Sequence, residues 1–131
     1  MIYLKQYLIG LIVFLGIDMV WLTVIAKPFY SKHLGYLMAK NPNLVAAGIF
    51  YALNIIGLLV FTINPALQKN SLLQAIILGG LYGFFTYATY DLTNYATIKD
   101  WPLIVTVVDL LWGTFLCALV SGITFFVLKR I

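Results

Sequence analysis

The sequence has no glutamate, one histidine, His33, and one cysteine, Cys117. A lone cysteine excludes an intrachain disulfide framework, and one His with one Cys cannot supply the three or four ligands of a zinc or haem site. Only 9% of the residues are charged, whereas a water-soluble domain carries roughly a quarter. Proline and glycine, at 4 and 10 residues, are too ordinary for a collagen-like repeat or a disordered linker. The net charge of +4 comes from eight Lys and Arg placed singly or as the terminal pair Lys129-Arg130. That spacing builds no basic stripe, so nucleic acid is excluded as a partner. No glycine-rich phosphate loop or nucleophile-elbow motif occurs, and Ser31, Ser71 and Ser121 have no base partner visible in sequence.

What remains is apolar: 63% of the 131 residues are hydrophobic, and the mean hydropathy is +1.03. A bilayer's hydrocarbon core of about 30 Å takes about 20 residues of helix. Four stretches meet that length, at about residues 6–26, 43–63, 72–95 and 102–128. Their continuous apolar runs predict helices rather than barrel strands, which would alternate polar and apolar residues. The expected fold is all-α: one integral membrane domain over residues 1–131, a four-transmembrane-helix bundle. The third span has no clear stop and is expected to run to Ile98, before Lys99, Asp100, Trp101 and Pro102 break it. The first is read as a span rather than a signal peptide, because no A-x-A-like cleavage site follows it.

Between the first two spans, Phe29, Tyr30, Leu34, Leu37 and Met38 alternate with Lys32, His33 and Lys40 in a pattern that fits a short interfacial helix. The alternative is a plain solvated loop. The excess of Lys and Arg that normally sets orientation is absent. Lys5, Lys69, Lys129 and Arg130 fall on one face, and Lys27, Lys32, Lys40 and Lys99 fall on the other. Dual insertion is consistent with that tie.

The acidic residues are Asp18, Asp91, Asp100 and Asp109. Asp18 and Asp109 lie inside apolar spans, where an ionised carboxylate costs about 3 kcal/mol or more and usually marks function. The competing reading is packing glue between helices. Asp18 precedes Lys27 by nine residues and Asp109 follows Trp101 by eight, so each sits roughly 12–14 Å below the face bearing the first and third loops. Asp91 approaches that face, and Asn54 lies about 16 Å below it. This shared depth predicts a polar cavity in one half of the membrane. Leu11, Phe61, Leu78 and Leu116 are expected to close it on the other side. Helical periodicity assigns the lining to Phe14, Asp18, Trp21 and Ile25; Phe50, Asn54 and Ile55 or Leu58; Gly80, Gly83, Tyr87, Asp91 and Asn94; and Val105, Asp109 and Trp112. Gly79 and Gly83 form a small-xxx-small pair suited to close helix packing.

Asp18-x-x-Trp21-x-Thr23 is echoed by Asp109-x-x-Trp112-x-Thr114 on a helix of opposite direction. Such an echo fits an inverted repeat, with chance similarity of six residues as its rival. The candidate ligand-binding residues are therefore Asp18, Trp21, Asn54, Tyr87, Asp91, Asn94, Asp109 and Trp112. No catalytic residue, metal or cofactor is assigned. A carboxylate-lined, tyrosine-rich cavity without Lys or Arg disfavours anions and suits a proton, a cation or a lipophilic ligand.

The stretch Tyr87-Ala88-Thr89-Tyr90-Asp91-Leu92-Thr93-Asn94, followed by Trp101-Pro102 and Asp109-x-x-Trp112-Gly113, resembles a family of small bacterial inner-membrane proteins catalogued as a domain of unknown function. Phe29-Tyr30, Phe50-Tyr51 and Asp18-x-x-Trp21 fit the same pattern. The resemblance spans nearly the whole chain. It implies a four-helix, multi-pass protein of the bacterial inner membrane, and no activity. Three functions then compete: a small transporter or permeation protein, working as a homodimer because four spans make a thin wall; a membrane-embedded enzyme acting on a lipid or isoprenoid-like substrate; and an assembly subunit whose polar residues serve packing.

Overall fold

The computed structural model describes residues 2–131 and is all-helical. Four helices are long and apolar enough to cross a membrane: α1, Ile2–Leu34; α2, Leu44–Lys69; α3, Leu72–Thr97; and α4, Leu103–Arg130. Each runs beyond its apolar stretch. The residues expected to make a short interfacial helix are helical from Lys27 to Leu34, but they continue α1. No separate interfacial helix is present among the described residues.

The helices pass through two prolines by the same device. A proline inside a helix lacks its N–H and crowds the carbonyl four residues earlier. Before Pro28 the backbone loosens over Trp21–Ala26, and Lys27 N–H reaches back five residues to Leu22 O. Before Pro65 it loosens over Leu59–Ile63, and Asn64 N–H reaches Leu59 O. The wider turns make room for each ring, so the helices continue where proline alone would end them.

The connections are tight. Asn70 takes a left-handed conformation with φ 51° and ends α2; the Ser71 side chain then accepts Gln74 N–H and starts α3. Asn43 caps α2 by accepting Ala46 N–H. Between α3 and α4, Asp100 turns the chain at φ 62°, and Pro102 leads into Leu103.

Helices α3 and α4 form the most closely packed pair. A Cβ on Gly79 would stand 2.5 Å from Cys117 O, and one on Gly83 would collide with Gly113 O. Gly113 in turn lies under the Tyr87 ring. These glycines let the two backbones touch, as the small-xxx-small spacing predicts. Helix α1 packs on α4, and the second half of α2 packs on α3 and α4. The first half of α2, Leu44–Leu58, packs chiefly on α1 and makes little contact with α3. The helices α2 and α3 therefore meet at their shared turn and splay apart toward the opposite face.

At mid-depth Phe14, Ile55, Leu58, Leu59, Ile63, Leu116, Cys117 and Val120 form the apolar core. Of the four residues expected to close the cavity, Leu116 belongs to this layer, Leu11 packs against it and Leu78 is half-buried. Phe61 instead points outward, 65% exposed, because the loosened turn over Leu59–Ile63 rotates it off the regular helical register. Below the core, the half expected to be apolar contains buried Gln6, Thr62, Ser121 and Thr124. Thr62 Oγ1 and Ser121 Oγ are 2.9 Å apart, while Gln6 Oε1 and Thr124 Oγ1 have no partner among the described residues.

Candidate functional site

The splay between α2 and α3 leaves a cleft of about 390 Å³ lined by Phe50, Asn54, Thr86, Tyr87, Tyr90, Asp91 and Asp109. Three elements position its carboxyls. Asp91 on α3 is 0% exposed. The Trp101 indole donates to Thr106 Oγ1 at 3.1 Å, and the Thr106 hydroxyl donates to Asp91 O at 3.3 Å. Thus the start of α4 anchors the backbone of Asp91. The Asp91 side-chain oxygens receive no N–H or O–H donor among the described residues. The Asp109 carboxyl lines the same cleft.

Asp109 accepts a hydrogen bond from the Tyr30 hydroxyl, brought in from the far end of α1. Asp18 accepts from Tyr51 Oη at 2.8 Å. Trp21 and Trp112 stack with centroids 4.3 Å apart and planes 9° from parallel. The two halves of the Asp-x-x-Trp echo therefore meet face to face through their indoles. Thr23 and Thr114 also match, each bonding the carbonyl four residues back, at 2.8 and 2.7 Å.

Asn54 completes the cleft. Its Oδ1 accepts from Tyr82 Oη at 3.0 Å, and its Nδ2 has no acceptor among the described residues. No cation is among the groups acting on Asp18, Tyr30 or Asp91. Among the described residues, no set of three or more His, Cys, Asp or Glu is arranged to hold a metal ion.

Of the sequence-derived candidates, Asn54, Tyr87, Asp91 and Asp109 share the cleft wall, while Asp18, Trp21 and Trp112 form the adjoining cluster. Asn94 is only half-buried and does not line the cleft; its backbone carbonyl ends α3 by accepting Ile98 N–H. Asp109 shares the cleft with Asp91 and accepts from Tyr30, whereas Asp18 accepts from Tyr51. Sequence reasoning missed Tyr30, Tyr51 and Tyr82. For Tyr51 a signal was available, since it stands one turn before Asn54 on the same helical face. Tyr30 was legible only by carrying α1 through Pro28.

A family model described as a predicted membrane protein (DUF2177) matches residues 3–126. The chain belongs to this family. With four candidate spans, it is a multi-pass membrane protein, and the family's match takes in all three buried aspartates. No curated protein and no solved structure matches the chain.

Proposed function

We propose that this family member is a small transporter that takes up a proton or a cation at Asp91 and Asp109. The observation that carries the reading is the carboxyl pair at the base of the cleft, buried and without a basic counter-ion. Two carboxylates brought together in a low dielectric repel strongly, so a site of this kind attracts a proton or a cation. An arriving cation replaces that proton at no change in local charge. Proton release against cation uptake is the elementary step of an exchanger.

A route also needs polar groups beyond the apolar core. Gln6, Thr62, Ser121 and Thr124 supply them on the opposite side. The intervening layer is thin: Phe14 is one turn from Asp18, Leu58 one turn from Asn54, and Leu116 about two turns from Asp109. Rocking of α1 and α2 at the loosened turns before their prolines would expose the carboxyls alternately to the two faces. A second copy of the chain would complete the wall around such a route.

The test is cation-driven proton release from purified protein in liposomes, followed with a pH-sensitive dye. Asp91→Asn and Asp109→Asn should abolish it, and Asp100→Asn, in the exposed α3–α4 turn, should retain it. Release that survives Asp91→Asn would refute the proposal. The exposed Phe50 and Tyr90 on the cleft wall favour one further reading, an enzyme using its aspartates as acid and base on a lipid. Under that reading, lipid extracts of cells with and without the protein differ in mass spectra, and the Asp91→Asn extract matches that lacking the protein.

A further inference from the structure

We infer that the cleft admits its ligand sideways from the bilayer, and that the ligand is a single-chain amphiphile whose head joins a protonated amine to an oxygen acceptor. The inference rests on the transporter reading and specifies the cation.

The mouth lies between the first half of α2 and α3, at Phe50 and Tyr90, which are 50% and 62% exposed. Phe50 stands seven residues after Asn43 and Tyr90 seven residues before Thr97, so each is about 10 Å inside its end of the helix. Both helices have 26 residues, a length of about 39 Å against a hydrocarbon core of about 30 Å. Each helix end therefore projects roughly 4–5 Å, which places the mouth about 5 Å inside the hydrocarbon. A solute arriving there has come through lipid.

Inside, the buried atoms without donor or acceptor partners form a complementary set: Asp91 Oδ1 and Oδ2 accept, and Asn54 Nδ2 donates. An ammonium supplies hydrogens to Asp91, and a neighbouring hydroxyl or carbonyl oxygen receives the Asn54 amide hydrogen. Leaving such atoms unpaired is costly in an apolar setting, so a head group carrying only one of the two functions fits less well. Phe50, Tyr87 and Tyr90 line the same wall and hold a cation against their rings. An anionic head finds no cation to pair with. The cleft, about 390 Å³, receives the head and its first methylenes, while the rest of the chain stays among lipid tails.

The experiment uses the full chain in phosphatidylcholine nanodiscs and radiolabelled N-dodecylethanolamine as probe. Saturable binding is expected, with no competition from ethanolamine, which lacks the chain, or from dodecyl sulfate, which lacks the amine. Asp91→Asn should weaken binding at least tenfold, and Asn54→Leu about three- to tenfold, the worth of one hydrogen bond. With Cys117→Ala as background, Phe50→Cys and Tyr90→Cys joined by a bismaleimide should slow binding at least tenfold. Both singly labelled proteins carry the same loss of one ring and set the rate against which the bridged protein is compared.

Equal competition by ethanolamine, or an unchanged rate after bridging, would overturn entry from lipid. Binding of monolaurin as tight as that of the amine would overturn recognition of an ammonium. Should Asp91→Asn fail to fold, the competition series on the unaltered chain decides. If the amine does not bind while inorganic cations still release protons, this inference fails and the transporter reading stands. If both are absent, both fail.

Discussion

Replacing Gly79 by alanine tests whether backbone contact between α3 and α4 holds the carboxyl pair in place. The new Cβ would lie 2.5 Å from Cys117 O, 2.6 Å from Ser121 Oγ and 2.7 Å from Ser121 Cβ. The nearest of these is backbone, so no rotamer change relieves it. The helices must separate by at least about 0.5 Å to restore an ordinary contact, and overpacking of this kind costs about 1–3 kcal/mol. Alanine returns about 0.5–1 kcal/mol of helix propensity. The net expectation is a loss of about 1–2 kcal/mol.

Gly16 and Gly48 provide the comparison, because nothing lies within 4 Å of a Cβ built on either. Gly16→Ala and Gly48→Ala should be neutral or stabilising by up to about 1 kcal/mol. Reversible unfolding in bicelles, titrated with dodecyl sulfate, measures all three on one scale. If Gly79→Ala proves as stable as Gly48→Ala, the α3–α4 contact is looser than described and does not hold Asp91 and Asp109 in one cleft.

Thr62→Val with Ser121→Ala forms a double-mutant cycle across the 2.9 Å hydroxyl pair. Its coupling should be about 0.6 kcal/mol and below about 1.7, the range for such bonds in membrane helices; zero coupling would remove the bond. Tyr51→Phe strips Asp18 of its hydroxyl donor and should lower stability by about 1–3 kcal/mol, with Asp18→Asn in the same background recovering part of the loss. Trp21→Ala and Trp112→Ala should be non-additive by about 0.5–1.5 kcal/mol because the rings stack. Additive losses in the unfolding titration would show that they act separately.

The number of spans and the polar nature of one membrane half were legible because both depend on distance along the helix, and rise per residue converts sequence into depth with little error. Direction around the helix was less legible. A 3.6-residue period places Gly80 and Asn94 on the Asp91 face, but α3 buries Ala75, Gly79, Gly83 and Asp91, a stripe stepping by four. Each such step drifts about 40° around the axis. Small residues set that step, because the closest approach follows the row of missing side chains rather than the average period. On α1, Gln6, Gly10, Phe14 and Asp18 follow the same spacing.

That drift also decides which carboxyls meet. Depth puts Asp18, Asp91 and Asp109 at comparable levels, and symmetry of the Asp-x-x-Trp echo favours Asp18 facing Asp109. Contact instead follows the tightest helix pair. The glycines that press α3 onto α4 bring Asp91 to Asp109, and the stacked Trp21 and Trp112 occupy the space between α1 and α4 where the echoed aspartates would have met. Asp18 is left to Tyr51 of α2. Glycine spacing thus places the Asp91 and Asp109 carboxyls on one hairpin, while the stacked tryptophans link α1 to it across the bundle. A rearrangement that separates α1 from α4 would break the Trp stack and the Tyr30 bond to Asp109 together, and would leave the Asp91–Asp109 pair intact.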